Sequence, residues 1–234
     1  MPRIEWTRRN FIGAASIGSS IWFLDSVSAQ GSEKQKSKAD EEEVSPNEDL
    51  MREHGVLERI LLVYEEGLHR LEDTQDFAPE VVAGGAAIVR RFVEDYHEKL
   101  EEDFLFPRFT KAGQLLDLVS TLRAQHTAGR RLTDVIQRVS TVTAMKDAAS
   151  RGQLVESLRL FIRMYRPHAA REDTVLFPAF RRLVSHNEYD SLGEDFEDKE
   201  HKLFGADGFE KILQEVAALE NRLGINDLSR FTPA

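Results

Sequence analysis

Two stretches of this chain set a histidine, a glutamate and the run Leu-Phe-Pro in the same register. The first comprises His97, Glu101, Leu105, Phe106 and Pro107; the second comprises His168, Glu172, Leu176, Phe177 and Pro178. Each is preceded by another histidine at matching distance: His54 lies 43 residues before His97, and His126 lies 42 before His168. Four of the seven histidines and two glutamates thus form a duplicated half-site. Residues four apart on a helix share a face, about 5–6 Å apart at Cβ, so each His–Glu pair points one way. Imidazole with carboxylate at this spacing is a metal-ligating pair, and two halves suggest two metals. Borderline first-row metals suit the donor set, iron above all in a carboxylate-bridged pair. Zinc stays open but would not need the second carboxylate, whereas calcium or magnesium would want oxygen ligands, not four histidines. Without a metal, such groups in a core cost free energy.

The elements that must hold these residues read as helices. Met51, Leu57, Ile60, Leu61, Tyr64 and Leu68 recur at three- and four-residue intervals, with Asn47 as the expected N-cap. A turn between Asp73 and Pro79 ends this first helix, and a second runs from Pro79 to Pro107, where proline ends or bends it. Gly84-Gly85 marks either a close helix contact or a loose start. A third helix is predicted from Gly113 to Val142, with Leu115, Leu118, Leu122, His126, Leu132 and Ile136 on its inner face. A fourth runs from Gln153 to Val184 and contains Pro167, which predicts a kink that either tunes packing or aims His168 inward. A fifth segment, Glu188 to Leu223, is interrupted near Gly205 and Gly208. No strand pattern is present. The expectation is an all-α fold: an up-down-up-down four-helix bundle over residues 47–223 with an additional C-terminal helical segment, then a tail at 224–234.

Composition narrows the chemistry. The 234 residues carry a formal charge of -10 and no basic cluster, which disfavours nucleic acid as a partner. With no cysteine, disulfides, thiolate zinc sites, iron–sulfur clusters and cysteine nucleophiles are removed together. Residues 1–29 have export-signal form: Arg3, Arg8 and Arg9, an apolar run from Phe11 to Leu24, and Val27-Ser28-Ala29 as a cleavage site. Thr7-Arg8-Arg9-Asn10-Phe11-Ile12-Gly13 resembles the twin-arginine signal, which implies export of the folded protein to the periplasm by that machinery. Cleavage leaves no stable membrane anchor; the alternative is an uncleaved one. Residues 30–46 are charged and polar and read as a flexible linker.

Arg52-Glu53-His54, His97-Glu98-Lys99-Leu100-Glu101 leading into Leu105-Phe106-Pro107, Gln125-His126-Thr127-Ala128-Gly129-Arg130, and His168-Ala169-Ala170-Arg171-Glu172 leading into Leu176-Phe177-Pro178 resemble the hemerythrin-like (HHE cation-binding) family. The resemblance spans about Pro46 to Leu223, and the paired Leu-Phe-Pro motifs make it specific. It implies a four-helix bundle around two non-haem iron ions. Glu101 and Glu172 would bridge them, His54 and His97 would be terminal ligands of one, and His126 and His168 of the other. Respiratory hemerythrins carry another histidine four residues after the third-helix ligand. Here that position is Arg130, which offers only donors and cannot ligate. Glu98 or His201 is then the candidate to complete the sphere.

The implied function is binding of dioxygen or a related small ligand, nitric oxide or peroxide, for storage, sensing or scavenging. The alternatives are a di-iron enzyme (peroxidase, oxidase or iron-oxidising), for which fewer nitrogen ligands leave room, and a structural bundle with zinc or no metal. No catalytic residue is assigned. His69 and His186 are expected in solvent, and Tyr165 in the core within reach of the ligand shell. Glu102 and Asp103 are expected to face outward, because neighbours of Glu101 turn away from its face.

Overall fold

Ser45, not Asn47, starts the first helix, because its hydroxyl accepts from the Glu48 N–H at 3.4 Å. Asn47 sits inside the first turn, and its amide donates to the Phe177 carbonyl at 2.6 Å, tying the start of this helix to the far end of the fourth. The structure, a computed structural model, describes residues 44–73 and 78–233. The expected export signal and most of the expected linker lie outside the described residues, as do residues 74–77 within the expected turn. All helices below belong to the unit Ser45–Ala234.

Among the described residues six long helices follow: α1 (Pro46–Glu72), α2 (residues 79–112), α3 (Leu116–Val139), α4 (residues 148–183), α5 (His186–Phe204) and α6 (Gly208–Leu223). No strand occurs among the described residues, and no helix among them is long and apolar enough to cross a membrane. The bundle is α1 to α4. Along the α1–α4 seam Asn47 meets Phe177, Glu65 pairs with Arg166 at 2.6 Å and Glu72 pairs with Arg159, so the two run antiparallel. Along α2–α3, Ala86 meets Gln137, Glu94 meets Thr133 and Glu102 meets Arg130, again antiparallel. The expected fifth segment is two helices, parted by Gly205, Ala206 and Asp207. α6 packs on α1 and α2, held by a two-bond contact of Arg59 to Glu220, and α5 lies against α1 and α6. The tail contains one 3-10 turn, Leu228–Phe231. Gly84-Gly85 is a close contact: a Cβ at Gly84 would lie 2.9 Å from Leu219, and one at Gly85 would lie 3.0 Å from the Tyr64 ring.

Neither Leu-Phe-Pro ends its helix. α2 continues past Pro107 to Ala112 and α4 past Pro178 to Leu183. Instead the backbone widens into π-helical turns at Val89–His97, Glu101–Leu105 and Glu172–Leu176. The Phe106 and Phe177 N–H groups bond back five residues, to the carbonyls of Glu101 and Glu172. A proline supplies no N–H and crowds the carbonyl four residues back, and the wider turn accommodates its ring. Pro167 faces solvent, and the α-helical turns of Ala148–Arg171 pass through it unbroken.

The π turns also keep one face inward. Val81, Gly85, Val89, Val93, His97, Glu101, Leu105 and Phe109 are all buried at strict four-residue spacing. A pure α-helix would rotate such a series by about 40° per step; the wider turns rotate it back. His168, Glu172, Leu176 and Phe180 repeat the pattern in α4.

Candidate metal centre

α1 to α4 each bring one histidine to a common level of the core, and α2 and α4 add Glu101 and Glu172. All six side chains are at most 4% exposed. The two carboxylates lie between the histidine pairs. Glu172 Oε2 is 3.3 Å from His54 Nε2 and 3.0 Å from His168 Nε2. Glu101 faces His126 Nε2 at 3.3 Å through one oxygen and His97 Nε2 at 3.9 Å through the other. His54 and His97 approach at 3.1 Å through their Nε2 atoms. The atoms converge on two overlapping groups, His54–His97–Glu101 and His126–His168–Glu101–Glu172. With each imidazole neutral and its proton on Nδ1, none of the four carboxylate oxygens accepts a hydrogen bond, and His126 Nε2 has no partner either. Buried oxygens that converge without hydrogen bonds are costly unless a cation takes them, so the donor set fits bound metal.

The opposite nitrogen of every histidine is anchored. His54 Nδ1 lies 2.7 Å from Asp173, His97 Nδ1 2.8 Å from Glu53, His126 Nδ1 3.1 Å from Glu102, and His168 Nδ1 2.9 Å from Gln125. An acceptor there fixes the proton on Nδ1 and leaves Nε2 free toward the metal. These four residues follow the repeat: Glu53 and Gln125 directly precede His54 and His126, and Glu102 and Asp173 directly follow Glu101 and Glu172. Glu102 therefore does not face outward as expected. Lys99, Arg130 and His126 all donate to it, and their pull turns it back over the site; Asp103 does stay exposed. Phe106 stacks on His126 and Phe177 on His54, each at 5.5 Å, so the Leu-Phe-Pro aromatics form the dry floor.

Arg130 fills the place where a further histidine would stand. It forms an ion pair with Glu98 at 2.7 Å and donates to Glu102 at 2.8 Å. Glu98 also accepts from the Tyr165 hydroxyl at 2.7 Å, and its other oxygen lies 4.0 Å from the outer nitrogen of His126. Glu98 thus lies outside the two inner groups, gathered instead with Glu102 and His126, and is engaged by Arg130 and Tyr165. Tyr165 reaches it across Gly129, where any Cβ would fall 2.8 Å from the tyrosine Cζ. His201 is not brought to the centre at all. It is exposed on α5, beside Glu197 at 3.9 Å, because its helix packs outside the bundle. His69 and His186 are exposed beside Asp73 and Asp190.

In the metal-free cluster protons stand where a cation would. Burial, reinforced by the charge of Glu172, pushes Glu101 up to about 8. Burial acts the same way on Glu172, but the imidazoles of His168 and His54 outweigh it and hold that carboxyl well below its ordinary range. Burial opposes charge on His54, yet Asp173 and Glu172 raise it to about 10; Glu101 and Glu102 do the same for His126. Burial and the neighbouring His54 push His97 well down. A bound cation would replace these protons.

The family profile described as hemerythrin HHE cation binding domain matches residues 45–180 and, again, 117–224, an overlap that takes in the second half-site. Relatives include uncharacterized proteins of two Mycobacterium tuberculosis strains, H37Rv and CDC 1551, and of Mycobacterium bovis. Each is 45% identical over 233 residues, covering 97% of this chain and 91% of the relative. No solved structure matches. With the profile spanning the whole bundle and the buried His–Glu cluster at its centre, the chain belongs to the hemerythrin HHE cation-binding family and is a metal-binding helical bundle.

Proposed function

We propose that the chain carries two iron ions and binds dioxygen or a related small ligand, nitric oxide or peroxide, after export to the periplasm. The observation that carries this reading is that Glu101 and Glu172 each lie between two histidine pairs, their oxygens without hydrogen bonds. Iron bound there would supply a reducible pair able to take a small external ligand. The chain's own residues do the rest. Glu101 and Glu172 would hold the pair together, and the four Nδ1 acceptors would keep each imidazole aimed. Leu105, Phe106, Leu176 and Phe177, all fully buried, exclude water from below.

The test is to load the metal-free chain with ferrous iron anaerobically, count the metal, and record the visible spectrum before and after air. Two iron ions per chain and a new charge-transfer band are expected. Metal well below two per chain with no band removes the reading. Arg130 favours a second reading, a di-iron enzyme: a cation replaces the further nitrogen ligand and sets donors beside His126. Sustained turnover of peroxide with a reducing dye supports the enzyme; a single stoichiometric oxidation supports binding alone.

A further inference from the structure

The two halves of the centre differ in the outer acceptors of their histidines. At the position formed by His54 and His97, both acceptors are carboxylates, Asp173 at 2.7 Å and Glu53 at 2.8 Å. At the position formed by His126 and His168 they are not. His168 donates to the neutral amide oxygen of Gln125 at 2.9 Å. His126 donates to Glu102 at 3.1 Å, and that carboxylate also serves Arg130 at 2.8 Å and Lys99. Glu53 and Gln125 occupy the same place in the repeat, so the exchange of carboxylate for amide falls at corresponding points of the two halves.

A carboxylate accepting from Nδ1–H makes the imidazole a stronger donor through Nε2. A neutral amide does this less, and a carboxylate shared with a guanidinium and an ammonium also does it less. We infer that the two metal positions are inequivalent: the His54–His97 position takes a divalent cation more tightly and fills first, and Gln125 is the positioning residue that keeps the His126–His168 position weaker. This rests on the two-metal reading above.

The test titrates the metal-free full chain with Co²⁺, followed by calorimetry and visible absorption. Wild type is expected to fill in two steps about tenfold or more apart. Gln125→Glu tightens the second step, and Asp173→Asn weakens the first, so each variant narrows the gap from its own side. Should one variant fail to fold by circular dichroism, the other still decides. Two equivalents taken up in one unresolved step, or a gap unchanged in the folded variants, overturns this inference and leaves the two-metal reading standing. Uptake of a single equivalent overturns both.

Discussion

Glu101 and Glu172 are the residues through which the half-sites meet, and each reaches both histidine pairs or the space between them. Removing both, in a Glu101→Ala, Glu172→Ala variant, leaves four imidazoles with no bridge. On the two-metal reading, metal content measured by elemental analysis is expected to fall from two per chain to below one. The rise in melting temperature that metal gives the wild type should vanish with it, since a ligand stabilises only what binds it. Unchanged metal content would instead favour a structural bundle. Glu94 gives a second prediction, on stability. It is fully buried, accepts from Thr133, and is raised to about 7 by burial and by nearby Glu98, against the pull of Thr133, Arg90 and Arg130. A carboxyl raised in the folded state holds its proton more tightly there than in the unfolded chain. Its neutral form therefore favours folding below its ordinary value of 4.5, and that contribution is lost as pH rises to about 7. Glu94→Gln stays neutral throughout. Urea unfolding of the metal-free proteins at pH 5 and pH 8 should show a steeper loss in wild type, by up to about 3 kcal/mol; equal slopes would refute it. At this scale the inner six residues were legible because they repeat. Glu53, Glu102 and Asp173 were not, because an acidic residue on a helix ordinarily reads as solvated. The signal was there in their adjacency to the ligands at matching places in both halves.

Helix identity was legible from apolar spacing, but helix phase was not. A four-residue spacing sustained from Val81 to Phe109 exceeds the α-helical repeat, and that excess is the trace of the π turns. Single-residue rules, which place proline at helix ends or bends, do not reveal such turns. The inner face of α3 matches the expectation at Leu122, His126 and Ile136 but not at its other positions. Leu115, Leu118 and Leu132 were expected on it, but they are only partly buried. Val119, Leu122, His126, Gly129, Thr133 and Ile136 make the buried line. Gly129 and Thr133 lie inward because Tyr165 and Glu94 need that space and that hydroxyl, which hydrophobicity alone does not reveal. Gly129→Ala is therefore expected to destabilise by about 1–3 kcal/mol, and to push the Tyr165 hydroxyl off Glu98. Gly152→Ala, in α4 with open space around its Cβ, should stabilise by roughly 0.5–1 kcal/mol. Chemical denaturation of the pair separates a steric role at Gly129 from ordinary helix propensity. A gain at both sites would show that Tyr165 gives way freely.

At the scale of the molecule, the bundle follows from four long amphipathic segments with short connections. The split of the last segment into α5 and α6 was visible only as two glycines. What the bundle implies for the rest of the chain is a matter of order of events. The six inner side chains come from all four helices, so the centre forms only once the chain has folded, and a metal loaded before export must cross with the folded protein. That is the route the Arg8-Arg9 signal would provide. Replacing Arg8 and Arg9 with lysine is expected to hold the protein in the cytoplasm, measured by cell fractionation. Trp6 and Trp22, the only tryptophans, both precede Ala29. The retained precursor should thus emit as an indole protein, and wild type, if exported and cleaved after Ala29, should show tyrosine emission alone. Indole emission from the exported protein would place the cleavage elsewhere or show the segment kept as an anchor. Undiminished export of the lysine variant would remove the twin-arginine route, and the centre would then have to acquire its metal outside the cytoplasm.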